Sequence, residues 1–351
     1  METQVRHITN FMHQWAPPGI KMDYDNVGLL VGDQQQDVSR ILVCLDVTES
    51  VVDEAIQTSC DLIVSHHPLI FQKISRISPS DEQGRILYKL IRHDISLLAV
   101  HTNLDAALDG VSFVLANNLG LDDLRFLDRN YAVSRKITLT TAYEDSEAVL
   151  KLLNYYSAEE AHFFSVEGRK DGLKCFEATI DQHNVNTLKR KLEREGLLKK
   201  GSFQVVEMAS PSNNFGMGVI GTYPDNGIAR EEFLHLLCRA LDVEAIRYSG
   251  EVSRVRTVAV CGGSGIFLKS AAIASGADAF VTADIKYHDY FTEKEKFLLV
   301  DVGHYESEFP VVEAIRKELA EAFEQVEVLA VEAVTNPVRI YTTEIENKTI
   351  E

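Results

Sequence analysis

The sequence is poor in cysteine, and the cysteines it has are not arranged for cross-linking. There are five, Cys44, Cys60, Cys175, Cys238 and Cys261, and no two form a Cys-x-x-Cys pair. An odd number without metal-site or redox spacing excludes a disulfide framework and a thiolate zinc site as organising features. Free cysteines are usually small buried residues of proteins in reducing compartments. We therefore expect a cytoplasmic protein.

Long apolar runs and an excess of basic residues are missing as well. No apolar run approaches the roughly 18 residues that a membrane span needs. Residues 1–15 lack the apolar centre of a signal peptide, so we expect no membrane association. Lysine and arginine total 35 against 53 aspartate and glutamate, a formal net charge of −18. Because nucleic-acid binding relies on a basic surface, this balance argues against it, and the basic stretch 189–194 is better explained as a solvated helix face.

What the sequence does contain is three apolar, strand-like runs that each end in potential metal ligands. The runs 61–65, 95–100 and 297–302 lead into His66-His67-Pro68, His101-Thr102-Asn103-Leu104-Asp105 and Gly303-His304-Tyr305-Glu306-Ser307-Glu308. In open α/β sheets ligands bind beyond the carboxyl ends of strands, so three neighbouring strands would bring these clusters together. Four histidines and at least two carboxylates suit two divalent metals better than one.

Spacing within two of the clusters supports a metal site. His101 and Asp105 are four residues apart, as are His304 and Glu308. If a helix begins at each cluster, each pair shares one helix face. Asp105 and Glu308 are the candidates for bridging two ions, because a carboxylate has two oxygens and an imidazole has one free nitrogen.

The adjacent histidines His66 and His67 fit the same interpretation. On a regular strand they would point to opposite faces, and an irregular turn before Pro68 would aim each at a different metal. A lone histidine is more often a hydrogen-bonded core or surface residue. Three clusters of the same chemistry at strand ends favour the metal site over that alternative.

The two ends of the chain differ in pattern from its middle. Strands that alternate with helices at both ends predict largely parallel, layered α/β sheets. The middle, roughly 130–211, has half-exposed strands and a strongly charged helix at 185–195, a pattern typical of a small ferredoxin-like α+β unit. It contains no ligand cluster. We interpret it as an assembly or regulatory element in which His162 and His183 are structural or surface residues.

Together these segments resemble a known family. The motifs that carry the resemblance are Ser65-His66-His67-Pro68-Leu69-Ile70-Phe71, the clusters at 101–105 and 303–308, Asp25-Asn26-Val27-Gly28-Leu29, Cys261-Gly262-Gly263-Ser264-Gly265 and Thr282-Ala283-Asp284-Ile285-Lys286-Tyr287-His288. They resemble the Nif-three-like family of dinuclear-metal proteins, often named GTP cyclohydrolase 1 type 2 homologues. The resemblance covers 1–125 and about 212–351.

The resemblance implies an architecture and an assembly. It implies a discontinuous two-lobed α/β core, 1–128 and 212–351, with layered sheets around a metal cleft. It also implies a PII- or CutA-like insert domain at 129–211 and a toroidal homohexamer. One departure from the family pattern is Val219, which stands where an arginine is usual, so a phosphate contact by that arginine is in doubt here.

The resemblance also implies which residues bind metal. The set is His66, His67, Asp105, His304 and Glu308, with His101 either a sixth ligand or a support for one. Further residues implied to line the cleft or act in catalysis are Asp25, Asn26, Gly263, Ser264, Asp284 and His288. The implied cofactor is two divalent ions per chain. Imidazole and carboxylate ligands suit Zn, Fe, Mn, Co or Ni.

Several of these residues have alternative explanations. Asp25 and Asn26 are equally explained as turn residues. The glycine-rich loop 262–265 is placed like an anion-binding loop between strand and helix, although it matches neither common nucleotide motif. Asp46 also ends a strand and is expected to orient a ligand, whereas Glu306 is expected to point away from the metals.

These patterns predict a metal-dependent hydrolase. Two metals about 3.5–4 Å apart can activate water near neutral pH and stabilise developing negative charge. Asp284 or His288 is a candidate proton donor to the leaving group. The substrate would be a nucleotide ring, as the family name implies, or a phosphoester. The alternative is a metal-binding hexameric scaffold or regulatory protein without turnover, which the insert favours and the ring of cleft residues opposes.

Overall fold

The structure, a computed structural model, describes residues 2–129, 133–157, 162–164, 173–198, 202–211, 214–291 and 297–341. Its helices are α1 Val5–Trp15, α2 Glu49–Gln57, α3 Glu82–Arg92, α4 Thr102–Asp105, α5 Val111–Asn118, α6 Ser146–Tyr156, α7 Gln182–Arg194, α8 Arg230–Ala240, α9 Lys269–Ala274, α10 His304–Glu308 and α11 Pro310–Ala322. Its strands are β1 Gly28–Val31, β2 Arg40–Cys44, β3 Leu62–Ser65, β4 Ser96–Ala99, β5 Asp122–Asp128, β6 Val133–Ala142, β7 His162–Phe164, β8 Leu173–Asp181, β9 Phe203–Pro211, β10 Met217–Thr222, β11 Ile228–Ala229, β12 Arg247–Ser249, β13 Arg254–Val255, β14 Thr257–Val260, β15 Ala279–Thr282, β16 Leu298–Asp301 and β17 Glu327–Ala330.

The first sheet carries two of the ligand clusters. Its strand order is β1-β4-β3-β2-β17, in which β17, β2, β3 and β4 run parallel and β1 is an antiparallel edge strand. Every residue of β3 and β4 is buried, because apolar side chains of α1, α2, α3 and α11 join the core of this sheet. Ser65 pairs with Ala99, so the chain leaves β3 and β4 at the same edge.

The second sheet carries the remaining cluster. Its order is β12-β16-β15-β14-β10-β5, with β14, β15 and β16 parallel and the outer strands antiparallel. Side chains from α5 and α8 pack with Val258 and Val260, whereas α9 packs with Ala259. Because neighbouring strand residues point to opposite faces, helices cover both faces of this sheet. A two-stranded ribbon, β11 with β13, lies outside the larger sheets.

The predicted two-lobed α/β core with layered sheets is confirmed, but the predicted strand neighbourhood is wrong. β3 and β4 are neighbours, whereas β16 belongs to the second sheet. The clusters therefore meet because the carboxyl ends of two sheets face the same cleft. An apolar run identifies a buried strand but does not specify which sheet the strand joins. Neither sheet is entirely parallel: β1 pairs antiparallel at one edge of the first sheet, and β12, β10 and β5 form antiparallel pairs in the second.

The middle of the chain forms a four-stranded antiparallel sheet of order β7-β8-β6-β9. With α6 and α7 it has the β-α-β-β-α-β sequence of a ferredoxin-like unit, as predicted. It has its own core, which includes Ile137, Leu139, Leu153, Phe176 and Leu188. The division into 129–211 and a discontinuous core, and the likeness to PII or CutA, stay predictions that this separate core supports.

His183, one of the two histidines of this unit, is outside the ligand groups. His183 on α7 packs its ring against Phe215, with ring centroids 5.2 Å apart, and burial lowers its pKa. It is a structural contact between the middle unit and the core, as predicted. The side chain of His162 lies outside what the structure describes.

The sequence predicts neither disulfide bonds nor membrane-spanning helices. All five cysteines are free, and four of them, Cys44, Cys60, Cys175 and Cys261, are buried. No helix in the described part of the chain is both long enough and apolar enough to cross a membrane.

Candidate metal centre

Backbone hydrogen bonds fix the two adjacent histidines just beyond β3. The N–H groups of His66 and His67 donate to the carbonyls of Cys44 and Leu45 at 3.1 and 2.8 Å, which continues the pairing with β2. The Ser65 hydroxyl donates to the His67 carbonyl at 2.9 Å. His66 is consequently fully buried, whereas the side chain of His67 is 24% exposed.

Short helices hold the other ligand pairs. His101 precedes α4, and the N–H of Asp105 donates to the His101 carbonyl at 3.1 Å. His304 and Glu308 begin and end α10, one turn apart. Both pairs therefore share a helix face, as their spacing predicts.

The other four implied ligands come together around Glu308, and His101 joins His66 and His67. Its Oε2 lies 3.0 Å from His67 Nε2 and 3.1 Å from His304 Nε2, and its Oε1 lies 3.9 Å from His66 Nε2. Asp105 Oδ1 is 3.6 Å from the same His66 nitrogen. Three groups have ligand atoms within 4.8 Å of one another: His66 with His67 and His101; His67 with His304 and Glu308; His66 with Asp105 and Glu308.

Three buried atoms of this cluster have no hydrogen-bond partner in the described part of the chain. They are His66 Nε2, Asp105 Oδ1 and Glu308 Oε2. The nearest nitrogens to Glu308 Oε2 are Nε2 of His67 and Nε2 of His304, at 3.0 and 3.1 Å. An unsatisfied buried polar group costs about 1–3 kcal/mol, and a cation bound between these atoms would remove that cost. The donor set, imidazole and carboxylate without thiolate, fits a divalent metal ion. The cluster can therefore hold metal.

The pKa values of the cluster follow from burial and proximity. Burial lowers the pKa of His66 to about 3 despite the nearby Glu308, so this imidazole is neutral. Burial and the charge of Glu308 raise the pKa of Asp105 well above its usual value. Burial opposes ionisation of Glu308, but His304 and His67 hold its pKa well below normal. Two crowded carboxylates and a neutral imidazole favour a cation.

Each of the four imidazoles is held at Nδ1 by a different acceptor. Asp46 accepts from His67 at 2.7 Å, Asp25 from His101 at 2.9 Å and Asp284 from His304 at 2.7 Å. The Val100 carbonyl accepts from His66 at 2.9 Å. Carboxylates and carbonyls on the far nitrogen are the usual partners of metal-binding histidines, because they fix the tautomer that leaves Nε2 free. Asp46 thus lies where it can orient His67, as expected.

Asp25 and Asn26 link loops around the cluster. Asp25 is buried and also accepts from the backbone and hydroxyl of Thr102. These bonds and His101 lower its pKa, although burial alone would raise it. Asn26 donates to the carbonyl of Ile70 at 2.7 Å and so ties its loop to the one after His67. Both residues support the histidine loops, beyond simple turn chemistry.

The glycine-rich loop is not an anion cradle. The N–H groups of its three glycines donate to the hydroxyls of Ser112, Ser307 and Thr282. Because these donors are already used, the interpretation as an anion-binding loop is wrong. Gly263 instead lies against the cluster: a Cβ there would be 2.1 Å from Glu308 Oε1. Ser264 is exposed.

Other predicted residues lie farther from the ligand groups. His288 is exposed in a short 3-10 helix, where its ring packs against Tyr287 at 5.3 Å. Its role as a proton donor stays a prediction. Glu306 accepts from Asn336 at 2.7 Å and is in none of the ligand groups, as expected. Val219 is fully buried in the second core, paired with Val260 on β14.

Sequence reasoning missed the C-terminal segment and a cavity beside the cluster. The Thr335 hydroxyl donates to Asp46 at 2.8 Å, so the segment braces the carboxylate that orients His67. A cavity of about 650 Å³ opens between this segment and the cluster, and Arg247 lies on its wall. Thr335 and Arg247 stand outside any periodic or motif pattern, and no signal in the sequence could have identified them.

Comparison with known proteins identifies the family. The family model described as Duf34/NIF3 (NGG1p interacting factor 3) matches residues 3–337. The chain belongs to the NIF3 family. A Staphylococcus aureus (strain MSSA476) protein named GTP cyclohydrolase 1 type 2 homolog is 32% identical over 347 residues, which cover 91% of this chain and 94% of the relative. The resemblance found in the sequence motifs is thereby confirmed.

Solved structures of NIF3 relatives share this architecture. The crystal structure of Staphylococcus aureus protein SA1388 matches with a TM-score of 0.78 and 30% identity, covering 97% of this chain and 99% of that one. A Bacillus cereus protein related to NIF3 matches with a TM-score of 0.75 and 28% identity, with the same coverage. The match includes the middle unit as well as the core.

In this NIF3-family chain, Gly263→Ala is expected to prevent metal binding without unfolding the protein. The added Cβ would lie 2.1 Å from Glu308 Oε1 and 3.2 Å from His304 Nε2, which displaces the carboxylate. Gly276→Ala is the matched control, because φ is +77° there against +59° at Gly263 and no atom lies within 4 Å. Both should lose about 1–2 kcal/mol of stability through left-handed backbone strain. Elemental analysis should show metal loss in Gly263→Ala only; equal content would contradict this placement.

Metal binding is also expected to release protons. The close carboxylate of Glu308, with those of Asp284 and Asp46, raises the pKa of His304 to about 9 and of His67, against burial, to about 10. Both imidazoles are therefore protonated at neutral pH and must lose a proton to bind a cation. Affinity for Zn²⁺ should rise as pH increases from about 6 to 8, with about two protons released per chain from these two imidazoles.

Calorimetric titration in two buffers of different ionisation enthalpy measures this release. His67→Gln and His304→Gln should each reduce it by about one proton. His235→Gln, an exposed histidine on α8, is the control. Zinc binding with no proton release, or release unchanged in both variants, would contradict the assigned ligands.

Proposed function

We propose that the protein is a dinuclear, divalent-metal-dependent hydrolase acting on a nucleotide or another phosphoester. The observation that supports this most is the position of Glu308. It is shared by the group containing His66 and Asp105 and by the group containing His67 and His304. A buried carboxylate common to two ligand groups is the arrangement that a pair of bridged metals requires.

The residues around the cluster would orient the metal ligands and transfer protons to or from the substrate. Two divalent ions held here would supply Lewis acidity and lower the pKa of water towards about 7. Asp25, Asp46 and Asp284 orient three of the imidazoles and keep their Nε2 atoms directed inwards. Asp284 is itself 53% exposed at the cavity, so its carboxylate can also accept or donate a proton at the substrate.

The cavity supports an enzyme rather than a purely structural metal site. It is lined by His67 and His304 together with Asp284, so a bound molecule would reach the ligand cluster. About 650 Å³ lies within the range of small-molecule sites. The name of the Staphylococcus aureus relative, GTP cyclohydrolase 1 type 2 homolog, favours hydrolysis of a nucleotide ring over other reactions.

A second candidate function is a metal-binding scaffold or regulatory protein without turnover. The middle unit favours it, because this unit has its own core and none of its described side chains belongs to the ligand groups. Under either function we propose a toroidal homohexamer in the cytoplasm, with no membrane or nucleic-acid partner. The metals, two per chain, would be Zn, Fe, Mn, Co or Ni.

Metal content and turnover in matched variants test the proposal. Wild type should contain two divalent ions per chain by elemental analysis. Glu308→Gln and His66→Ala should lose both metal and any hydrolysis of GTP or bis-(4-nitrophenyl) phosphate. Glu306→Gln is the control, because it alters a carboxylate on the same helix that is not in the ligand groups and should keep its metals.

Each outcome distinguishes the candidates. Two metals and turnover, lost together in Glu308→Gln, are expected for the hydrolase. Two metals without turnover on either compound would favour the scaffold. A wild-type protein that takes up no metal after anaerobic purification and metal challenge would refute both.

A further inference from the structure

The cavity beside the ligand cluster has chemically distinct sides. One side is the cluster itself, represented by His67 and His304. Another is an apolar wall made by Leu45, Val243, Ile246, Val302, Val338 and Ile340. The cavity lining therefore offers an apolar surface next to the metal ligands, which suits an organic molecule with a ring-sized body rather than a small ion.

Arg247 is the one lysine or arginine among the described residues that line this cavity. It lies on the edge strand β12, directly opposite Asp301 on β16. Its Nη2 donates to Asp301 Oδ2 at 2.6 Å, and its side chain is 70% exposed. Within the described ranges no acceptor bonds to its Nε or Nη1, so these donors face solvent or a ligand.

Asp301 holds the guanidinium in place. This carboxylate is buried and also accepts from the N–H groups of Ile285 and Gly303 and from the Tyr290 hydroxyl. Among the described residues Arg247 is the charged partner of Asp301 and makes its shortest bond, 2.6 Å against 3.2–3.3 Å for the other three donors. The arginine is therefore an anchored cation with spare donors, and such a planar fork matches a phosphate oxygen pair.

Apart from Asp301, the acidic residues that line the cavity do not compete for Arg247. Asp46 is bonded to His67 and Thr335, Asp284 to His304, and Glu306 to Asn336. Each of these carboxylates is occupied by a partner other than the arginine. An incoming anion would meet Arg247 as the one lysine or arginine of the described cavity lining, held at one nitrogen by Asp301.

We propose that this cavity is the substrate site and that it takes a phosphorylated ring compound of nucleotide size, whose phosphate Arg247 binds while the ring faces the ligand cluster. This inference rests on the proposed hydrolase function and deepens it.

Binding of matched phosphorylated and unphosphorylated probes tests the proposal. Calorimetry on the metal-loaded protein would compare GMP with guanosine and 1-naphthyl phosphate with 1-naphthol. In wild type each phosphate should bind about 10-fold or more tightly than its neutral counterpart, the effect of a charge-assisted hydrogen bond. In Arg247→Gln this preference should disappear, while binding of guanosine and naphthol stays unchanged.

Two further variants control for structure and charge. Arg247→Lys keeps a cation beside Asp301 but not the planar fork, so it should retain only part of the preference. Arg254→Gln removes an arginine that lies outside the cavity and donates to the carbonyls of Asn226 and Gly227. It should behave as wild type. Metal content, measured in every variant, reports separately on the ligand cluster.

The outcomes separate this inference from the proposed function. An unchanged phosphate preference in Arg247→Gln with two metals retained would overturn the inference and leave the hydrolase proposal standing. Failure of both phosphates to bind wild type would also overturn it. A wild-type protein without metal that still shows an Arg247-dependent preference would refute the hydrolase and keep the anion site.

Discussion

The burial of one carboxylate, Glu308, is the constraint on which the centre of the molecule depends. It lies on a helix that follows the second sheet, yet its oxygens face His66 and His67 from the first sheet. An ionised carboxylate removed from water is costly unless it is paired. Imidazoles alone leave its Oε2 without an aligned hydrogen bond. A divalent cation would compensate the charge and join the two lobes through the same contact.

The residues around Glu308 direct the metal ligands towards one another. Metal ligands are useful only if their free nitrogens converge, and the acceptors on Nδ1 achieve this for every imidazole of the cluster. Gly263 provides space for the Glu308 carboxylate, and Thr335 extends the support of His67 to the C-terminal segment. The C-terminal side of the cavity and the ligand cluster are therefore parts of one hydrogen-bonded structure.

The sequence predicts the strands and the histidines and carboxylates that cluster after them, because both depend on local pattern. Continuous apolar runs identify β3, β4 and β16, and histidines and carboxylates directly after them are conspicuous. The assignment of β16 to the same sheet fails, because strand partners are chosen by long-range packing. The local pattern of the glycine-rich loop does not reveal which groups occupy its N–H donors. One of them donates to the hydroxyl of Ser112, which is 150 residues away in sequence. Arg247 lies on a three-residue edge strand with no distinctive pattern.

The most direct test of the account is the position of the metals themselves. Crystals of the metal-reconstituted protein, measured at the absorption edge of the metal, should show two anomalous peaks about 3.5–4 Å apart. Glu308 should lie between them, with His66 and Asp105 at one peak and His67 and His304 at the other. A single peak, or two peaks that do not share Glu308, would contradict the central claim.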